Sequence, residues 1–338
     1  MEVAVEQPGR INQYVRRYWL WLIVGAVIVV VIGYGYTVNP RTTRAVLSAT
    51  LRQSTPLVLG ALCGLWGERA GVINIGIEGQ MLMAAFTGFL VNVYTSNLLL
   101  AVGAAALTGA LLGLLLAFMS VTLKMDQIIG GTVINILAFG LTGYFYQQGL
   151  TTAGKLQPIA LGPLADIPLL GEVLFQNPPI TYLTLLLVAL SHYVLYYTRW
   201  GLRTRAVGEH PRAADTVGIN VYQVRYINVI AGGALAGLAG AFLTLEAVGS
   251  FERMMTNGRG FLALAIMIFG KWTPLGAWAA ALFIGLTYAL NTQFQFLGWN
   301  VPPQFVGLLP YLSTIIVLAG LVGRARPPAA DGVPYEKE

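Results

Sequence analysis

Of the 338 residues, 56% are hydrophobic and only 10% are charged, whereas a soluble domain carries about 25% charged residues. Too few charges remain to cover a water-soluble fold of this length, so the chain reads as a membrane protein. The single cysteine, Cys63, excludes an intrachain disulfide, two histidines are too few for a cysteine/histidine metal cluster, and the net charge of +6 comes from basic residues lying between apolar runs, a bilayer-orienting pattern rather than a nucleic-acid footprint.

A helix needs about 20 apolar residues to cross the hydrocarbon core. Ten candidate spans follow in order: 19–37, 45–65, 72–93, 98–119, 127–145, 180–197, 226–247, 259–270, 275–293 and 304–322. The first follows Arg10, Arg16 and Arg17. Its apolar run is longer than a signal-peptide core and no small-residue cleavage site follows, so it reads as a retained span. Arg52 and Pro56 interrupt the second, and the eighth is too short to cross fully, which leaves eight or nine spans as the alternative count. The fold class is all-α and polytopic, a single transmembrane domain over residues 1–338.

Before the third span lies Gly67-Glu68-Arg69-Ala70-Gly71-Val72-Ile73-Asn74-Ile75-Gly76-Ile77-Glu78-Gly79-Gln80, a polar stretch with four glycines. Charge and irregular backbone at membrane depth are tolerated where they face protein or a water-filled path. Glu78 is the one acid deep in a confident span. Helical spacing places Asn74, Glu78 and Met81 on one face, and Asn135 is the matching polar group of the fifth span. These four either line a solute path or, in the case of Glu78, brace backbone groups freed by the glycines.

Residues 146–179, with Pro158, Pro163, Pro168, Pro178 and Pro179, form an ordered or partly ordered extracytoplasmic loop. Residues 198–225 form a basic connector. Within it Pro211 suits the first turn of a short helix, about 211–217, and Gly218 suits its end. Glu246 either snorkels at the outer surface or meets an external protein. Gly232, Gly233, Gly237 and Gly240 permit close helix packing.

With the N-terminus inside, inner segments hold Arg10, Arg16, Arg17, Arg69, Lys124, Arg199, Arg203, Arg205, Arg212, Arg225, Lys271, Arg324, Arg326 and Lys337, and outer ones hold Arg41, Arg44, Arg52, Lys155, Arg253 and Arg259. That split, 14 against 6, places both termini in the cytoplasm. The turn Gly270-Lys271-Trp272-Thr273-Pro274-Leu275-Gly276 enters a span in the second half as residues 68–76 do in the first, a positional pseudo-repeat of the kind that marks a transport route. No Gly-rich phosphate loop ending in Gly-Lys-Ser/Thr is present, so ATP is not bound by that means.

The stretch Glu68–Gln80 resembles the signature of the membrane permease subunits of ABC importers in the branched-chain amino acid, ribose and nucleoside group. Ala206-Val207-Gly208-Glu209-His210-Pro211-Arg212-Ala213-Ala214-Asp215-Thr216-Val217-Gly218-Ile219 is similar to the cytoplasmic coupling loop of that group, with His210 where asparagine is expected. Phe269–Ala277 is a third match. The resemblance is nearest to nucleoside-type permeases.

It implies the ABC importer permease fold with pseudo-repeated halves in a bacterial or archaeal cell (inner) membrane. It also implies a non-enzymatic subunit with no cofactor, a second permease that is similar or identical, an ATP-binding subunit and an extracytoplasmic substrate-binding lipoprotein. Glu209, His210, Pro211, Arg212, Ala213, Ala214 and Gly218 would couple to the ATP-binding subunit. Membrane lipid is the other partner and nucleic acid is not one. The same architecture serves sugars or amino acids. An ion-coupled secondary transporter would carry more intramembrane ionisable groups than Glu78 supplies.

Overall fold

The computed structural model describes residues 30–296 and 325–337, with Leu308 and Leu312. The expected first span is therefore described only from residue 30, and the tenth, 304–322, lies outside the described residues apart from those two leucines.

Helical residues 30–38 lead into α1 (Pro40–Glu68). Asn39 caps α1 by accepting from Thr42 N at 3.1 Å, and Pro40 sits in the first turn, where no N–H is needed. Against expectation, α1 runs through Arg52 and Pro56 without a break. Pro56 removes one ladder donor, and the hydroxyls of Ser54 and Thr55 bond the Leu51 carbonyl beside the gap at 2.8 and 3.0 Å.

Helix α2 spans Ile77–Thr95 rather than starting at residue 72, because residues 71–76 turn irregularly after Gly71 at φ +83°. Asn97 caps α3 (Leu98–Ala117), which ends in a π turn, Phe118–Thr122. Asp126 caps α4 (Gln127–Phe145) through Ile128 N at 2.8 Å and Ile129 N at 3.0 Å.

Residues 146–179 are ordered. They hold strands β1 (Ile159–Ala160) and β2 (Gln176–Asn177), paired antiparallel with Ile159 opposite Asn177, and the short helix α5 (Leu170–Phe175). Then come α6 (Pro179–Tyr197), α7 (Arg199–Glu209), α8 (Pro211–Thr216) and α9 (Val221–Ala241), the last continuing as a π segment, Phe242–Val248. The described chain closes its bundle with α10 (Arg259–Phe269) and α11 (Pro274–Phe296).

Among the described residues five helices are long and apolar enough to cross a membrane: Leu98–Thr122, Gln127–Phe145, Pro179–Tyr197, Val221–Val248 and Pro274–Gln293. Their outward side chains are apolar, with Leu107, Ile136 and Leu186 each about 60% exposed or more, which suits lipid and not water. The more polar α1 and α2 lie inside, and α9 packs on α1, α2 and α3.

The α3–α9 contact brings backbones together. A Cβ on Gly109 would lie 2.2 Å from the Gly233 carbonyl, and one on Gly237 would lie 2.4 Å from that of Ala105. Helices in lipid gain little from apolar burial and associate through such close van der Waals packing, so the glycine run of α9 has the packing role its sequence suggests.

Candidate functional site

The irregular turn between α1 and α2 is held by side chains from elsewhere. Backbone polar groups there lack helical partners and must find others. Gln127 accepts from Ile73 N at 2.7 Å. Asn135 donates to the Ile75 carbonyl at 3.0 Å and accepts from Gly79 N at 2.7 Å. Asn135 is thus a clasp from α4 onto the start of α2.

Glu78 is 2% exposed and both of its oxygens are engaged. Oε1 accepts from Gly258 N at 2.8 Å and Oε2 from Gly260 N at 2.6 Å. Those N–H groups open α10, so the carboxylate meets the positive end of that helix while standing in the first turn of its own. Two charge-assisted bonds of about 1.5–3 kcal/mol each match an insertion cost of about 2.5–3.5 kcal/mol for a mid-membrane acid.

Helix α10 has 11 residues and rises only about 16 Å, roughly half the hydrocarbon core. The segment before it descends along α2, with Phe251 packed on Phe86 at 5.0 Å between ring centroids. Arg259 therefore opens α10 beside the start of α2.

Asn74 is not on the α2 face with Glu78 and Met81, because residue 74 precedes the helix. Its Nδ2 donates to Cys63 Sγ at 3.3 Å and Gln80 Oε1 at 3.0 Å. Asn74 Oδ1 and Gln80 Nε2 are buried with no partner among the described residues. Met81 is fully buried in the main apolar cluster.

The two polar turns singled out from sequence touch each other. Trp272 Nε1 donates to Glu68 Oε2 at 2.5 Å, and Arg69 Nε donates to the Trp272 carbonyl at 2.8 Å.

A second buried carboxylate, Glu246, repeats the capping arrangement at the other end. It accepts from Ile180 N at 2.8 Å and Thr181 Oγ1 at 2.6 Å at the start of α6. At 6% exposure it does not snorkel to the surface. Beside it a cleft of about 610 Å³ is lined by Ser48, Arg52, Gln53, Gln157 and Glu246 among others, and the Ser48 hydroxyl is buried with no partner among the described residues. None of Asn74, Glu78, Met81 and Asn135 lines it. The cleft carried no sequence signal, because the residues of α1 and of the loop 146–179 that line it meet only after folding.

In the basic connector, α8 begins at Pro211 as expected and ends in a Schellman turn. Ile219 N bonds the Ala214 carbonyl at 3.1 Å, Gly218 N bonds that of Asp215 at 2.9 Å, and Gly218 has φ +83°. The preceding 11-residue α7 was not foreseen. His210 joins α7 to α8, its N–H on the Ala206 carbonyl at 2.8 Å. Arg212 and Ala213 are exposed, whereas Ala214 turns inward against Val207, Val221, Val224 and Tyr335. Glu209 accepts from Ala329 N at 3.2 Å.

Residues 46–318 match the family described as "Branched-chain amino acid transport system / permease component". The guanosine ABC transporter permease protein NupQ of Bacillus subtilis is 40% identical over 86% of this chain and 96% of its own length. The nucleoside ABC transporter permease protein NupC of Lactococcus lactis is 39% identical over 88% of this chain and 98% of its own. The glucose ABC transporter permease protein TsgB13 of Haloferax volcanii is 27% identical over 83% and 78%. No solved structure is a significant match. With a bundle of membrane-length helices, half-helix α10 and a family match over most of its length, the chain belongs to the multi-pass permease components of the branched-chain amino acid transport system family.

Proposed function

We propose that this permease forms the translocation path of an ATP-driven importer for nucleosides. It would be built of about ten helices in two pseudo-repeated halves, with both termini in the cytoplasm of a bacterial or archaeal cell and residues 146–179 outside. ATP hydrolysis comes from a partner subunit, a second permease completes the pair, and an extracytoplasmic lipoprotein delivers the solute. The nucleoside assignment rests on the names and near-complete coverage of the guanosine and nucleoside relatives. A sugar is the second reading, favoured by the glucose relative.

The geometric observation that carries the mechanism is α8. It is a short helix with a proline start and a glycine stop, presenting Arg212 and Ala213 outward, on a connector whose Gly208 lies against the Arg69 carbonyl of the first polar turn. Residues 198–225 are the coupling loop, with Glu209, His210, Pro211 and Gly218 shaping α8, Ala214 anchoring it, and Arg212 and Ala213 meeting the ATP-binding subunit.

Glu78 and Asn135 act as braces that hold the broken helices in place, and Met81 packs behind them. Asn74, with Gln80, offers unpaired amide atoms of the kind that recognise a base or sugar. The outer cleft is the entrance. The experiment is uptake of labelled guanosine and labelled glucose by vesicles holding permease, ATP-binding subunit and binding protein, with and without ATP. Uptake of glucose alone selects the second reading, and uptake that ignores ATP removes the importer assignment.

A further inference from the structure

The C-terminal segment 325–337 returns to the connector and spans the distance between α8 and the turn after α1. Ala330 N donates to the Gly208 carbonyl at 2.9 Å and Ala329 N to Glu209 Oε2 at 3.2 Å. Arg225, 1% exposed, donates to the Val333 carbonyl at 2.9 Å. Asp331 is hydrogen-bonded to Glu68 and lies in the field of Arg225. A Cβ on Gly71 would stand 2.9 Å from the Ala330 carbonyl, so the segment lies directly on the polar turn. Tyr335 is buried against Val207, Ala214, Val221 and Val224 and packs edge-on to Tyr222 at 5.5 Å. Glu336 pairs with Lys124 at 2.6 Å and Lys337 with Asp215 at 3.6 Å.

A helix of six residues has no stability of its own. What fixes α8 is Tyr335, whose ring packs in the cluster with Ala214 and whose hydroxyl is hydrogen-bonded to Asp215, and what holds Tyr335 is the run of bonds from its segment back to the Gly208 carbonyl and the Arg225 guanidinium. The other end of the same run rests on Glu68 and Gly71, the start of the turn that leads to Glu78. Surface pairs such as Lys337–Asp215 contribute little, so the buried contacts decide.

We propose that residues 328–337 are a strap that positions α8 and passes its displacement to the turn at 68–73, with Tyr335 and Asp331 as its positioning residues. The proposal rests on the coupling role of α8 given above. A strap of this kind sets the ratio of solute moved to ATP hydrolysed, which mere loss of packing would leave intact in the complexes that remain.

The test uses the full importer in vesicles, comparing the wild type with chains ending at Pro327, Tyr335→Ala, Asp331→Asn and Tyr335→Phe. Guanosine uptake, ATP hydrolysis and the amount of assembled complex are measured together. The truncated chain and Tyr335→Ala should assemble with the ATP-binding subunit yet move about 5-fold less solute per ATP or worse, in the range of a coupling free energy between sites. Asp331→Asn should reduce the ratio less, and Tyr335→Phe, which keeps the ring against Ala214 and loses only the hydroxyl bond to Asp215, should retain most of the wild-type ratio. If the truncated chain does not assemble, the point variants decide alone. An unchanged ratio in Tyr335→Ala, whether or not the amount of complex falls, overturns the strap. Wild-type uptake that proceeds without ATP hydrolysis overturns the coupling reading itself, a separate outcome.

Discussion

Trp272 and Glu68 are 204 positions apart and joined by a 2.5 Å hydrogen bond from the indole nitrogen to the buried carboxylate. Each closes a short polar turn, one between α1 and α2 and the other between α10 and α11. Backbone left unpaired by a broken helix is costly in a bilayer, and here the breaks satisfy each other. Lys271 and Trp272 both adopt positive φ, at 53° and 52°, to make the contact, a strain that persists where surroundings over-determine it.

Trp272→Phe keeps an aromatic ring but removes the donor and the fused five-membered ring. The Glu68 carboxylate is 5% exposed and would lose its indole partner. A loss of about 1–3 kcal/mol is expected, read as a lower melting temperature of the detergent-solubilised protein. An unchanged melting temperature in Trp272→Phe would show that the clasp contributes nothing.

At Glu78, leucine leaves the N–H groups of Gly258 and Gly260 unpaired, at about 1–3 kcal/mol each. Glutamine retains one acceptor and turns a donor toward the other N–H. The yield of folded protein should therefore rank wild type, Glu78→Gln, Glu78→Leu, measured by size-exclusion chromatography from membranes. Full yield from Glu78→Leu would remove the brace.

How far the sequence reaches depends on whether a feature is local. Pro211 and Gly218 announce α8 because a helix start and stop are written within a few residues. Glu78 stands out as an isolated acid, yet its partners are 180 and 182 positions away, so brace and path are equivalent until the chain is folded. Ser54 and Thr55 hide the tolerance of Pro56 in α1, since their hydroxyls act on a carbonyl that no periodicity reveals. Residues 328–337 have neither apolar periodicity nor a motif. Their order comes from Gly208, Arg225 and Glu68, all distant in sequence.

The α3–α9 seam predicts a contrast among glycines. Gly109→Leu and Gly237→Leu force side chains into backbone 2.2 and 2.4 Å from the new Cβ. The cost exceeds the usual overpacking range of about 1–3 kcal/mol, because backbone cannot step aside as a side chain can. Gly103→Leu and Gly140→Leu meet nothing within 4 Å and should be near neutral. Equal yields across the four variants would contradict the seam.

Asp331 lies outside the spans, and burial raises its carboxyl from 3.8 to about 6 against the hydrogen bond with Glu68 and the charge of Arg225. A carboxyl whose pKa rises on docking holds its proton more tightly in the docked state. Its contribution is complete below pH 3.8 and is lost as pH rises through about 6. Protease cleavage within 328–337, after Tyr335 for example, should therefore become faster as pH rises between those limits in the wild type. Asp331→Asn should make the profile shallower, leaving the part that comes from its partner Glu68, and a profile of the same shape in that variant would assign the pH dependence elsewhere.

Ala213 and Ala214 are neighbours with opposite expected outcomes. Ala213 is exposed on α8, while Ala214 is 3% exposed beneath Tyr335. A tryptophan at 213 projects from the surface, leaves the Schellman turn and the Tyr335 cluster undisturbed, and obstructs a docked subunit. A tryptophan at 214 has no space and must displace Tyr335 or α8 itself. Ala213→Trp should keep the melting temperature and the protease resistance of 328–337 while reducing co-purification of the ATP-binding subunit. Ala214→Trp should expose 328–337 to protease and uncouple hydrolysis from uptake even where the subunit remains attached. Loss of subunit binding confined to Ala214→Trp, with Ala213→Trp normal, would move the docking contact off the exposed face of α8.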